Sequence, residues 1–208
     1  MATKLTITNS TNEEVTLWLT LGDISGFVND VFGIFGITEH GLQGSVTLDA
    51  SQKVEYESQI PISGNVSFNI PPMNCPTDDF PNGVNIFEFC LNNWTQPVSA
   101  PQETIDISCV TGVNSLLLCS MSGGGDWNAG PTQQNVTIFK NKGLDENTGQ
   151  VGVFPVACDD CTASVSPPQC PDPLPPATPQ SEKICNVQRP AVEENCVGLV
   201  SLLYKGKI

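Results

Sequence analysis

The sequence predicts an all-β protein, a sandwich or flattened barrel carrying a cysteine- and proline-rich loop excursion. Three observations predict it. Short runs of alternating apolar and polar residues recur along the chain, separated by clusters of Gly, Pro, Asn, Asp and Ser. Charged residues make up only 14% of the 208 positions, while 18 Gly and 17 Pro supply turns, a turn-rich balance foreign to helical proteins. No stretch sustains the 3.6-residue period of an amphipathic helix, and no internal repeat is visible. The length fits one domain, or one core with an appendage, and is enough to bury a core unaided.

The elements follow in order. Leu5–Asn9 and Val15–Leu21 alternate and are joined by the polar turn Ser10–Glu14, which reads as a hairpin. Leu5, Ile7, Leu17, Leu19 and Trp18 are its expected packing residues, since no cysteine precedes Cys75 to tie it down. Ile24–Gly44 is a glycine-rich loop whose Phe27, Phe32 and Phe35 are expected to pack onto the domain. Val46–Leu48, Lys53–Glu57 and Asn65–Ile70 are strands, with Pro61–Gly64 as a separator and Pro71-Pro72 ending the third. Cys75–Gly83 is a loop with the acidic pair Asp78-Asp79. Val84–Leu91, Thr104–Val110 and Asn114–Cys119 are strands, and Ser122–Gly130 is a loop. Asn135–Asn141, Gln150–Ala157 and Val197–Tyr204 complete the set. The expected organisation is a core over residues 1–157 completed by 197–208, with 158–196 as the excursion. There the many prolines enforce irregular or polyproline backbone.

Composition excludes several functions. The formal charge is -14, with 8 Lys and Arg against 22 Asp and Glu, so nucleic acid and anionic membranes are repelled. No apolar run is long enough to span a bilayer. An acidic surface suits cations or neutral, hydroxyl-rich partners such as glycans. No secretory apolar segment opens the chain.

Nine cysteines, at Cys75, Cys90, Cys109, Cys119, Cys158, Cys161, Cys170, Cys185 and Cys196, are candidates for disulfides. The odd number leaves one thiol unpaired or free to pair between chains. Cys90, Cys109 and Cys119 lie on strand-like runs, where a thiol also behaves as a plain small hydrophobe. The five beyond residue 157 lie in sequence unable to hold itself together by burial, so most bridges are expected there. Cys158-Asp159-Asp160-Cys161 has the spacing of a redox or zinc motif, but the aspartates would raise the thiol pKa and the remaining cysteines are irregularly spaced. Disulfides are the expectation, with no metal and no cofactor. His40, the single histidine, has no nucleophile motif beside it. Sequons at Asn9, Asn65, Asn93 and Asn135 are about as many as chance supplies and add little.

The chemistry lies in two carboxylates. Glu88 stands between Phe87 and Phe89, and Asp106 between Ile105 and Ile107. Neighbours on a strand alternate faces, so each acid points away from its apolar flanks. One reading places both on the wet face of a one-sided sheet; the other places both in a single cleft, as catalytic or binding groups.

The runs FEFCLN (87–92) and IDISCVTGVN (105–114) resemble the signature of the thaumatin-like proteins, in which an AEFxLN-type strand is followed by a YDISLVDGFNVPM-type segment. Ala2, Thr3, Leu5 to Asn9 and Trp18 are similar to that family's mature start, and GNVSFN (64–69) to its third-strand region. The resemblance covers about residues 2–120. It implies a thaumatin-like sandwich and a secreted, defence-related protein that binds polysaccharide such as β-1,3-glucan. Met1 would then be an initiator before a processed start, the alternative being a cytoplasmic protein. In the family an acidic cleft joins a Glu, two Asp and an Arg. By resemblance Glu88 and Asp106 take the first two places and Thr111 stands at the third. The arginine has no counterpart, Arg189 being the only one in the chain. Glu88, Asp106 and Thr111 are therefore the expected ligand-binding residues, with aromatic side chains as a stacking platform. A weak endo-β-1,3-glucanase using Glu88 and Asp106 is one alternative, and a structural or self-associating protein on the same fold is another.

Overall fold

The computed structural model describes residues 3–22, 42–57, 61–73, 76–93, 103–122, 127–130, 153–154, 187–189 and 198–208. Within them the chain is all-β, with twelve strands in two sheets: β1 (Lys4–Asn9), β2 (Val15–Leu21), β3 (Gln43–Leu48), β4 (Lys53–Glu57), β5 (Ile62–Phe68), β6 (Ile86–Leu91), β7 (Glu103–Ser108), β8 (Ser115–Ser122), β9 (Trp127–Ala129), β10 (Val153–Phe154), β11 (Val187–Arg189) and β12 (Leu199–Lys207). One sheet runs β4-β1-β12-β8-β9. The other runs β10-β7-β6-β5-β2-β3, with β11 also paired to β7. No described helix is long and apolar enough to cross a membrane.

Strict alternation builds the core. On β2, Val15, Leu17, Leu19 and Leu21 turn inward, and on β6, Phe87, Phe89 and Leu91 do the same. Leu5 and Ile7 of β1, Leu117 and Cys119 of β8, and Val200 and Leu202 of β12 meet them from the other sheet in one cluster. Phe68 stacks on Tyr204 with ring centroids 4.7 Å apart, joining the two layers.

The expected N-terminal hairpin does not exist. β1 pairs with β4 and, in parallel, with β12, whereas β2 pairs with β3 and β5 in the opposite sheet. The cause is Asn9, fully buried at the end of β1. Its Nδ2 donates to the carbonyls of Glu13, Leu48 and Asp49, and its Oδ1 accepts from the Thr11 amide and hydroxyl. This Asx-type turn swings the chain across the sandwich instead of folding it back. The same burial leaves the Asn9 sequon no room for a glycan. Trp18 also departs from expectation: it lies on the outer face of β2, opposite Leu17 and Leu19.

Other boundaries shift. The loop expected over Ser122–Gly130 contains β9, whose Trp127 and Ala129 pair with Met121 and Cys119. Ile62, Ser63 and Gly64 belong to β5 rather than to a separator, while Asn69 leaves that strand at φ 65°. Gln43 and Gly44 belong to β3. Val187–Arg189, inside the stretch read as an excursion, pairs with β7. β12 sits between β1 and β8, so the C-terminal strand is central to its sheet. Phe27, Phe32, Phe35, His40, the expected strand 135–141 and the cysteines at 75, 158, 161, 170, 185 and 196 lie outside the described residues.

Of the nine candidates for bridging, Cys90, Cys109 and Cys119 are free thiols. Cys109 and Cys119 are fully buried among apolar side chains, and burial together with the nearby Asp106 carboxyl pushes both thiols upward. They act as small hydrophobes, as alternation on a strand allows.

Candidate functional site

The outer face of the larger sheet carries a row of polar side chains in one register. Gln43 of β3 lies opposite Thr20 of β2, Thr20 opposite Asn65 of β5, Asn65 opposite Glu88 of β6, and Glu88 opposite Asp106 of β7. Each follows from the same local rule: a polar residue between inward-facing neighbours on a pleated strand must point out. Gln43 Nε2 donates to Thr20 Oγ1 at 2.9 Å, bracing the far end of the row.

A cavity of about 580 Å³ opens over this row. Thr20, Asn65, Glu88 and Asp106 line it, and Ser63, Cys90 and Thr104 from the neighbouring register form its wall. Gly64 keeps the sheet closely spaced below it, because a Cβ there would collide with the Thr20 carbonyl oxygen. No Lys or Arg among the described residues lines the cavity.

Glu88 and Asp106 are in direct contact, their carboxyls hydrogen-bonded to one another. Cross-strand partners have Cβ atoms about 4.5–5.5 Å apart, so two short acidic side chains leaning together must touch. Asp106 is only 7% exposed. Burial raises its carboxyl well above the usual carboxylate range, and the Glu88 charge and the hydrogen bond to Glu88 raise it further. Burial raises Glu88 as well, opposed by the hydrogen bond it accepts from Asp106. Two like charges in contact cannot both ionise cheaply, so the pair shares a proton that Asp106 donates to Glu88. Cys90 beside them is also raised, by burial and by the charge of Glu103.

Thr111 does not join the pair. It lies in the connection from β7 to β8, where its hydroxyl donates to the Val84 carbonyl at 2.9 Å beside the bridge between Gly83 and Gly112. It is not among the residues lining the cavity. Asp78 and Asp79 are exposed on a turn away from the row. Conversely, Thr20 and Asn65 were not foreseen as site residues. Each carries the signal that singles out Glu88, a polar side chain in a strand beside inward-facing apolar ones.

The row holds unsatisfied acceptors. Asp106 Oδ1 and Asn65 Oδ1 are buried without a hydrogen-bond partner among the described residues, and so is Trp18 Nε1 on the same outer face. A buried polar atom left unpaired costs roughly 1–3 kcal/mol, a cost that a donor group reaching these oxygens would remove. The arrangement suits binding better than glycoside hydrolysis. Two-carboxylate hydrolases hold their acids about 5 Å or more apart to admit the reacting sugar carbon or a water, whereas here the carboxyls hydrogen-bond each other.

No family model matches this chain and no curated protein matches it. Among solved structures, 23 chains match. One is a thaumatin-like xylanase inhibitor, 12% identical with a TM-score of 0.42, over 97% of this chain and 99% of that one. Another is the protein elicitor MoHrip2 from Magnaporthe oryzae, 12% identical with a TM-score of 0.40, over 97% and 98% of the two chains. Both likenesses are distant, and neither contributes a residue role to this chain.

Proposed function

We propose that this protein binds a neutral polysaccharide, of the β-1,3-glucan class, in the cavity over Thr20, Asn65, Glu88 and Asp106, as a secreted, defence-related β protein. The observation that carries the reading is the proton-sharing Glu88–Asp106 pair set in a cavity walled by hydroxyl and amide side chains. Sugar hydroxyls donate and accept at once, and the pair with its neighbours offers both, with acceptors in excess. Trp18 lies on the same outer face, two residues along β2 from Thr20, with a buried indole N–H that has no partner among the described residues. Such sites take up sugars by directional hydrogen bonds and ring stacking rather than by charge, so retention should survive moderate salt.

Co-sedimentation with insoluble β-1,3-glucan tests this, with cellulose as the control polymer. The wild-type protein is expected to be retained on the glucan, and a Glu88→Ala, Asp106→Ala double variant to lose retention at least about tenfold, the worth of one or two hydrogen bonds to ionised or shared-proton groups. The soluble fraction should gain no new reducing ends. Retention unchanged in a double variant that keeps its far-ultraviolet circular dichroism would remove these residues from the function.

A further inference from the structure

We propose that the row Asn65–Glu88–Asp106 is also a binding site for one hard divalent cation, of the size and oxygen preference of Ca2+. Three adjacent strands, β5, β6 and β7, present these side chains in a single register on one face. The convergence is rich in acceptors, and a cation bound there would displace the proton held between Glu88 and Asp106. Asp106, 7% exposed, keeps one carboxyl oxygen without a partner among the described residues. The Asn65 side-chain oxygen, itself buried, is in the same condition on the other side of Glu88. A single sugar hydroxyl can donate only one hydrogen and cannot satisfy both flanking oxygens. A cation can, since it draws every oxygen at once. No Lys or Arg among the described residues lines the cavity to do so instead. Of the described lysines of the other sheet, Lys4 and Lys53 are engaged with Glu57 and Glu55.

The geometry fits Ca2+ better than Mg2+. Strands lie about 4.8 Å apart, so the Cα atoms of Asn65 and Asp106 flank Glu88 at roughly 9.6 Å from each other. Oxygens at about 2.4 Å on either side of a central Ca2+ are about 4.8 Å apart, so each short side chain leans inward by about 2.4 Å, within its reach. Glu88 approaches from between them. Three protein residues leave the rest of a six- to eight-oxygen shell to water or to vicinal sugar hydroxyls in the open cavity. Mg2+ demands a tighter octahedron and gives up its waters reluctantly, which a row spread over three strands does not favour. The inference does not rest on the polysaccharide reading, because metal uptake is measured with no glycan present.

Isothermal titration of the full chain with CaCl2 and, separately, MgCl2 in about 0.15 M NaCl, where diffuse surface attraction is screened, is the test. One Ca2+ per chain is expected, with Mg2+ at least about tenfold weaker. Asp106→Asn should weaken Ca2+ binding at least about tenfold, and Asn65→Asp, which adds a third carboxylate to the row, should strengthen it. A merely structural role for Asn65 would produce no such gain. Absence of stoichiometric Ca2+ binding, or binding unchanged in both variants because ions are held diffusely by the acidic surface, would overturn the proposal. Co-sedimentation on glucan with and without a chelator then reads the two inferences separately.

Discussion

Ending the chain after Gly198 is expected to abolish folding. β12 lies between β1 and β8, paired in parallel with one and antiparallel with the other. Its removal would leave both neighbours with an unpaired edge in the middle of the sandwich. It also strips Val200, Leu202 and Tyr204 from the core, where each is nearly or fully buried. At roughly 1.5–3 kcal/mol for each large side chain, the loss is about 5–9 kcal/mol. That compares with the 5–15 kcal/mol by which a typical domain is stable at all. Circular dichroism in the near ultraviolet and a thermal melt read the outcome: the shortened chain should show no fixed aromatic signal and no cooperative transition. A point variant, Leu202→Asp, should weaken the fold in the same direction by burying a charge without a partner. A cooperative melt close to that of the full chain would show that the sheet order does not govern stability.

The second large effect is a fall in stability as pH rises, removed by Asp106→Asn. The folded state holds the Asp106 proton more tightly than the unfolded chain does. Its contribution is therefore fully present below the unfolded carboxyl pKa of about 3.9 and is lost as pH rises through the higher folded value. Every tenfold excess in folded-state proton affinity is worth about 1.4 kcal/mol. In Asp106→Asn the amide N–H can still donate to Glu88, but no proton needs to be held. Urea unfolding in metal-free buffer from pH 4 to pH 8 checks this. The variant should match the wild type at the acid end and exceed it by a margin that grows toward the alkaline end. A difference between variant and wild type that stays constant with pH would show that the pair does not retain a proton.

Much of the larger sheet is legible in the sequence because its strands alternate cleanly. VTLWLTL and IFEFCL each write an inward and an outward face into consecutive letters, and Glu88 could be assigned to the outward face from the second alone, as Asp106 could from its place between Ile105 and Ile107 in β7. Their direct opposition is a matter of register, which depends on how β6 meets β7 and cannot be read from either strand in isolation. The same holds for Thr20 and Asn65: each is conspicuous in its own strand, but only the pairing of β2 with β5, across the intervening β3 and β4, sets them beside Glu88. The failed hairpin has a more local cause. Ser10–Glu14 has the composition of a reversing turn, yet the decisive residue is Asn9, whose five hydrogen bonds reach partners as far away as Leu48 and Asp49. β9 was missed because the polar, glycine-led sequence around it offers no alternation over three residues. Thr111 was placed in the site by likeness of sequence alone, and its hydroxyl is committed to the Val84 carbonyl instead.

Carbon-13 NMR of the side-chain carboxyls tests most directly whether a proton-sharing carboxyl pair meets the ligand. Glu88 and Asp106 would be followed through a pH titration, first alone and then with a soluble β-1,3-gluco-oligosaccharide. The prediction is a staggered, mutually dependent titration with Asp106 protonated well above the ordinary carboxylate range, and movement of both signals when the sugar is added. Independent titration of the two carboxyls near their ordinary values of about 4, undisturbed by the oligosaccharide, would contradict it.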